Sequence, residues 1–97
     1  MDIKIRRAKH DVFTELGFGP EEAATLRVRA ELMIALQRVI EAQHLTQARA
    51  ARVLGVTQPR ISDLMRGKIE RFSVDTLVAM LGHVGAKVRI SVRTQVA

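Results

Sequence analysis

The feature that most constrains this chain is a break between two short helical patterns in "VLGVTQPRISDLMRGK", residues 53–68. One pattern stops at Gly55, and the next starts at once, at Thr57 and Gln58. Helices this short are marginal in water alone, so each must be stabilised by packing on the other. That packing needs a tight turn and a small residue where the backbones approach. Gly55 permits the positive φ of such a turn, and Ala51, four residues earlier, leaves room for the partner helix. Leu54, Val56, Ile61 and Leu64 then fill the angle between the two helices. The outer face of the second helix carries Gln58, Pro59, Arg60, Ser62, Asp63 and Arg66. The break therefore reads as a helix-turn-helix at 46–66, whose second helix protrudes far enough to enter a major groove.

The rest of the chain frames this unit. Its 97 residues make one domain, large enough for a modest core. Residues 1–19 read as an N-terminal arm: residues 1–10 alternate weakly and could form a short edge strand or stay loose, and one helical turn follows. In that turn Asp11 is the expected cap, Val12, Phe13 and Leu16 face inward, and Gly17 stops it. A long helix over about 20–43 starts at Pro20, with Glu21 and Glu22 in its first turn. Leu32, Leu36, Val39 and Ile40 form its core stripe, and Leu26, Ala30 and Met33 extend it. Met33 and Ile34 point to different faces, which leaves part of this helix exposed. Thr46 caps a helix over 46–54 and Thr57 opens one over 58–66. Pro59 disfavours helical dihedrals at Gln58, which would delay that start by one residue. Ser73 caps a helix over 74–84, with Phe72 packing on Leu77 as a staple.

Residues 86–97 differ in period. Val88, Ile90 and Val92 alternate with Lys87, Arg89, Ser91 and Arg93, the mark of a half-buried strand. A lone strand leaves backbone groups unpaired. Unless residues 2–6 reach it, the expected solution is pairing with its own copy across a two-fold axis, with Val88, Ile90 and Val92 as the dimer strand. The fold class expected is thus all-α, with a short C-terminal β-strand, a helical core at 20–85 and a homodimer.

Charge and composition narrow the partner. The net charge is +6, which suggests an anionic partner, nucleic acid before membrane. Within residues 45–71, Arg49, Arg52, Arg60, Arg66, Lys68 and Arg71 face only Asp63 and Glu70, so most of the surplus sits in the helix-turn-helix. There is no Trp or Tyr and only three Phe, too few for the stacking platforms of single-strand binders. Duplex DNA is the better match. No cysteine is present, which excludes disulfides, zinc fingers and thiol chemistry. His10, His44 and His83 lack ligand spacing, and no nucleophile has a base near it in a known motif, so neither a metal, a cofactor nor an enzyme is expected. The charged start and the lack of about 18 consecutive apolar residues point to a cytoplasmic protein, nucleoid-associated when bound to DNA.

Residue chemistry assigns the contacts. Gln can bond bidentately to adenine and Arg to guanine, so Gln58, Pro59, Arg60 and Asp63 are expected to face the bases. Asp63 would accept from a cytosine amine, or instead tether Arg60 or Arg66. Gln47, at the helix start after Thr46, suits a phosphate.

"LTQARAARVLGVTQPRISDLMRGK" with the following "FSVDTLVAMLGHVG" resembles the xenobiotic-response-element (XRE) family of helix-turn-helix proteins, to which phage repressors belong. That likeness covers about residues 30–85. The preceding "DVFTELGFGPEEAATLRVRAELMIAL" and the alternating tail resemble a narrower subgroup, antitoxin-like regulators of the host-inhibition-of-growth type. The resemblance implies a five-helix core and operator binding as a dimer, and often neutralisation of a RelE-like ribonuclease toxin. It places groove contacts on Gln58, Pro59, Arg60 and Asp63, and phosphate contacts on Gln47, Thr57 and Lys68, with Arg66 assigned beside them. Pro59 departs from the polar residue common in phage repressors, and it cannot donate a hydrogen bond; apolar contact with a thymine methyl is left to it. The function expected is a duplex-DNA-binding repressor that autoregulates a toxin–antitoxin operon. The rivals are a phage-type or metabolic regulator without a toxin, and an antitoxin that acts mainly by protein–protein occlusion.

Overall fold

In the computed structural model, residues 2–5 and 15–94 are described. Their elements run β1 (Asp2–Ile5), α1 (Pro20–Ala42), α2 (Gln47–Leu54), α3 (Gln58–Met65), a 3-10 turn (Ile69–Arg71), α4 (Val74–His83) and β2 (Lys87–Ile90). The expected helices are present to within one residue at each end. Gln58 is the first helical residue of α3 despite the proline after it.

Local chemistry explains these limits. Thr46 accepts a hydrogen bond from the Arg49 N–H at 3.2 Å, and Ser73 accepts from the Thr76 N–H at 3.1 Å. Each helix ends with the same backward bond, spanning five residues: Leu45 N–H to Ile40, Val56 to Ala51, Lys68 to Asp63, and Ala86 to Leu81. This closure requires a left-handed residue. Glycine supplies it three times, but after α1 the residue is His44, at φ +52°. An L-residue pays steric strain there that glycine avoids. His44→Gly is therefore expected to stabilise the domain by about 0.5–1 kcal/mol. A urea midpoint that rises at unchanged slope would show it, and a midpoint that falls would contradict it.

The core lies between α1 and the other helices. Leu32 and Leu36 of α1, Leu54 of α2, Ile61 and Leu64 of α3, and Leu77 and Leu81 of α4 have no exposed surface, and Phe72 has almost none. Burying each such side chain contributes roughly 1.5–3 kcal/mol. Ala50 and Ala51 are both buried in this cluster beside Leu54. Met33 is buried and Ile34 exposed, as their positions on opposite faces required.

Three expectations are corrected. The C-terminal strand has a partner within the chain: β1 and β2 pair in parallel, with Ile3 opposite Val88 and Ile5 opposite Ile90. The fold is thus helical with a small parallel sheet, not helices with one lone strand. Val92 lies beyond β2 and is exposed. Second, the described residues hold four α-helices, not five; the further helical turn expected over 11–17 begins outside them. Third, Leu16 is exposed, not inward-facing. Asp11, Val12 and Phe13 lie outside the described residues.

Candidate nucleic-acid interface

The site is built by the turn after α2. Gly55 takes φ +71°, and a Cβ there would stand 2.8 Å from the His83 Nε2 of α4. The turn is thus pressed against the end of α4, and α3 leaves it at a fixed angle. Ile61 and Leu64 anchor the inner face of α3, while Gln58, Pro59 and Arg66 are exposed and Ser62 half-buried on the other side. These positions follow i, i+1, i+4, i+8, one continuous outer stripe. From α1, Gln37 Nε2 donates to the Leu64 carbonyl at 2.8 Å and Arg29 Nη1 to the Ile69 carbonyl at 3.3 Å. The first bond holds the C-terminal end of α3 to the long helix, and the second holds the 3-10 turn to it.

The residues expected at the bases divide into two groups. Gln58 and Pro59 are exposed on the stripe. Arg60 lies with its guanidinium 4.4 Å from the centre of the Phe72 ring, and Nη1 donates to the Arg71 carbonyl at 2.8 Å. Asp63 is buried, and three cations meet its carboxylate: Arg71 at 3.1 Å, Arg66 at 3.5 Å and Lys68 at 3.8 Å. Of the two roles open to Asp63, tethering within the domain is the one this geometry satisfies. Among the residues expected at phosphates, Gln47 and Thr57 are exposed at the N-terminal ends of α2 and α3. Lys68 and Arg66 share Oδ1 of Asp63.

Residues 12–93 match the model of a family described as "Helix-turn-helix domain". A solved structure named "Putative XRE Family Transcriptional Regulator" is 36% identical, with a TM-score of 0.70; the match covers 76% of this chain and 83% of that one. The chain belongs to the XRE-like helix-turn-helix family. No curated protein matches it. The family is one of DNA-binding regulators, not of enzymes.

Within this helix-turn-helix protein, several residues that shape the site carried no signal on their own. Gln37 and Arg29 look like ordinary polar positions of an amphipathic helix, and Arg71 like one more surface cation. Arg71 meets α3 through the backbone reversal after Gly67 (φ +69°), and Gln37 and Arg29 through the packing of α1 on α3 and on the 3-10 turn, none of which a residue-by-residue reading can place. Phe72 was legible as a staple, but its ring also carries Arg60. Among the described residues no helix is long and apolar enough to cross a membrane, and no acidic or histidine cluster could hold a metal ion.

The Asp63 carboxyl titrates below its ordinary value. Its burial pushes the value up, but the Arg71 hydrogen bond and the charges of Arg71, Lys68 and Arg66 outweigh this. A carboxyl depressed in the folded state stabilises fully above its unfolded pKa, and that contribution is lost as pH falls through the lower folded value. The stability gap between the wild type and Asp63→Asn is therefore expected to be constant near neutrality and to close below about pH 4. Thermal melts of both proteins across pH would show it. A gap that widened in acid would contradict this assignment.

Proposed function

We propose that this protein is a sequence-specific duplex-DNA-binding transcriptional repressor that acts as a homodimer. The observation that carries the reading is the division of α3. Its inner face is wholly buried, yet Gln58, Pro59 and Arg66 stay exposed along one stripe beside a concentrated basic surplus. A solvated helix face with no partner would not need that concentration of charge. Gln58 at the N-terminal end suits an adenine edge, and Pro59 a thymine methyl. Gln47 and Thr57 suit phosphates that flank the groove. Arg60 and Asp63 complete the set expected at the bases, but each would first have to leave its partners within the domain. Gln58 is therefore the cleaner probe of the groove face.

The finer reading is an antitoxin that represses its own operon, with a RelE-like ribonuclease as the neutralised partner. It is supported by the sequence resemblance, which spans nearly the whole chain. A regulator without a toxin shares every DNA-facing feature, and a small basic reading frame next to this one would favour the antitoxin.

Footprinting on the DNA upstream of the protein's own reading frame tests the reading. Protection is expected over an inverted repeat, with affinity that falls steeply as salt rises. Gln58→Ala should cost about 1–3 kcal/mol on the protected duplex and almost nothing on random DNA. Equal loss on both duplexes would remove Gln58 from the bases.

A further inference from the structure

The cations around Asp63 form a cluster larger than the fold requires. One cation balances the charge of one carboxylate, and Arg71 at 3.1 Å from Oδ2 already makes that pair. Arg66 and Lys68 both approach the other oxygen, which brings like charges together with only one negative charge to offset them. A surplus of two positive charges remains. The carboxylate side chain is 12% exposed, whereas the Arg66 and Arg71 side chains are 61% and 53% exposed. The negative charge is thus inside and the positive charge outside, an arrangement suited to a second anion arriving from solvent.

The backbone beneath is fixed. Gly67 reverses the chain so that the Lys68 N–H returns to the Asp63 carbonyl at 3.0 Å, and the Arg71 N–H bonds the Lys68 carbonyl at 3.1 Å. Arg60 holds the Arg71 carbonyl from the other side. The cluster is therefore preorganised, which lowers the cost of binding. Its position also fits. Arg66 lies eight residues beyond Gln58, about 12 Å along a helix axis, close to the width of roughly 12 Å of the major groove. With Gln58 at the base edges, the C-terminal end of α3 reaches the strand that bounds the groove.

We propose that Arg66, Lys68 and Arg71 form a clamp for one DNA backbone phosphate, that Arg71 is a contact in it, and that Asp63 is the positioning residue that gathers it. The proposal rests on the duplex-DNA reading above and names how the end of α3 is registered on the backbone.

The test uses the full chain, a duplex selected by this protein from a random pool, and an unselected duplex of the same length, titrated from about 50 to 200 mM salt. Arg71→Gln should weaken both duplexes about tenfold and reduce the salt slope by about 0.9. Arg71→Lys should keep the wild-type slope, because it keeps the charge. Asp63→Asn makes the protein more positive, so a carboxylate that only neutralised charge would, once removed, tighten binding to both duplexes. A positioning role gives the opposite: about tenfold weaker binding to the selected duplex and a smaller loss on the unselected one, so that selectivity contracts. An Arg71→Gln protein with the wild-type slope, or an Asp63→Asn protein that binds both duplexes more tightly, would overturn the clamp while leaving the DNA reading intact. If Asp63→Asn fails to fold, Arg71→Gln decides, since its half-exposed side chain is not part of the core. A wild type that selects no duplex would overturn both.

Discussion

Replacing Gly55 by valine is expected to destabilise the domain by on the order of 3 kcal/mol. Two costs combine. At φ +71° a β-branched residue is forced into the left-handed region, and its Cβ would stand 2.8 Å from the His83 Nε2 and 3.0 Å from Cε1. The first cost is intrinsic to the turn. The second falls on the end of a side chain that can rotate, so a second mutation should recover it. Gly55→Ala in a His83→Ala background should therefore lose less than the two single changes together, and the coupling should be about 0.5–1 kcal/mol. For a chain this size the valine variant should melt at least about 10 °C lower. An unmoved melting temperature would mean that α2 and α3 do not meet through this turn. Full additivity of the alanine pair would remove His83 from the account.

The same turn shows what was legible in the sequence and what was not. Helix limits were readable because their signals are local: a hydroxyl at Thr46 or Ser73, a proline at Pro20, a glycine at Gly55. The inward positions of α1 followed from the 3.6-residue period. Contacts between distant segments were not readable in the same way. Alternation over 87–93 fixes which residues share a face, but not which strand pairs with them, and the partner Asp2–Ile5 lies at the other end of the chain. The cations Lys68 and Arg71 counted toward charge, yet their convergence on Asp63 depends on a backbone reversal and on the burial of one carboxylate. Periodicity carries neither fact. His44 was missed for a related reason: a left-handed helix stop without glycine has no residue-type signal.

The parallel strand pair alters how the dimer should be tested. A chain cut after Gly85 loses β2, and β1 then has no ladder. The helical core should survive, because the buried cluster draws its main residues from α1 to α4 and Phe72. If β2 carries the dimer, the cut protein should be monomeric and bind its operator roughly 10²–10⁴-fold more weakly, because each half-site must then be occupied without its tethered neighbour. Each strand of a two-stranded sheet keeps one unpaired edge, and Ile90 is 65% exposed at the end of β2. Such an edge invites pairing with another chain. Deleting residues 1–5 provides the contrast: it frees the edge of β2 that β1 covers and leaves the other edge untouched. If the dimer uses that other edge, the deletion should preserve both dimer and affinity, and light scattering with a binding titration would report them together. If the dimer extends the sheet through β1, the deletion should abolish it as fully as the cut after Gly85. A protein cut after Gly85 that stayed dimeric with undiminished affinity would move the interface to the helices, with the exposed Ile34 face of α1 the first place to look, and would leave the strand pair available to a different protein partner.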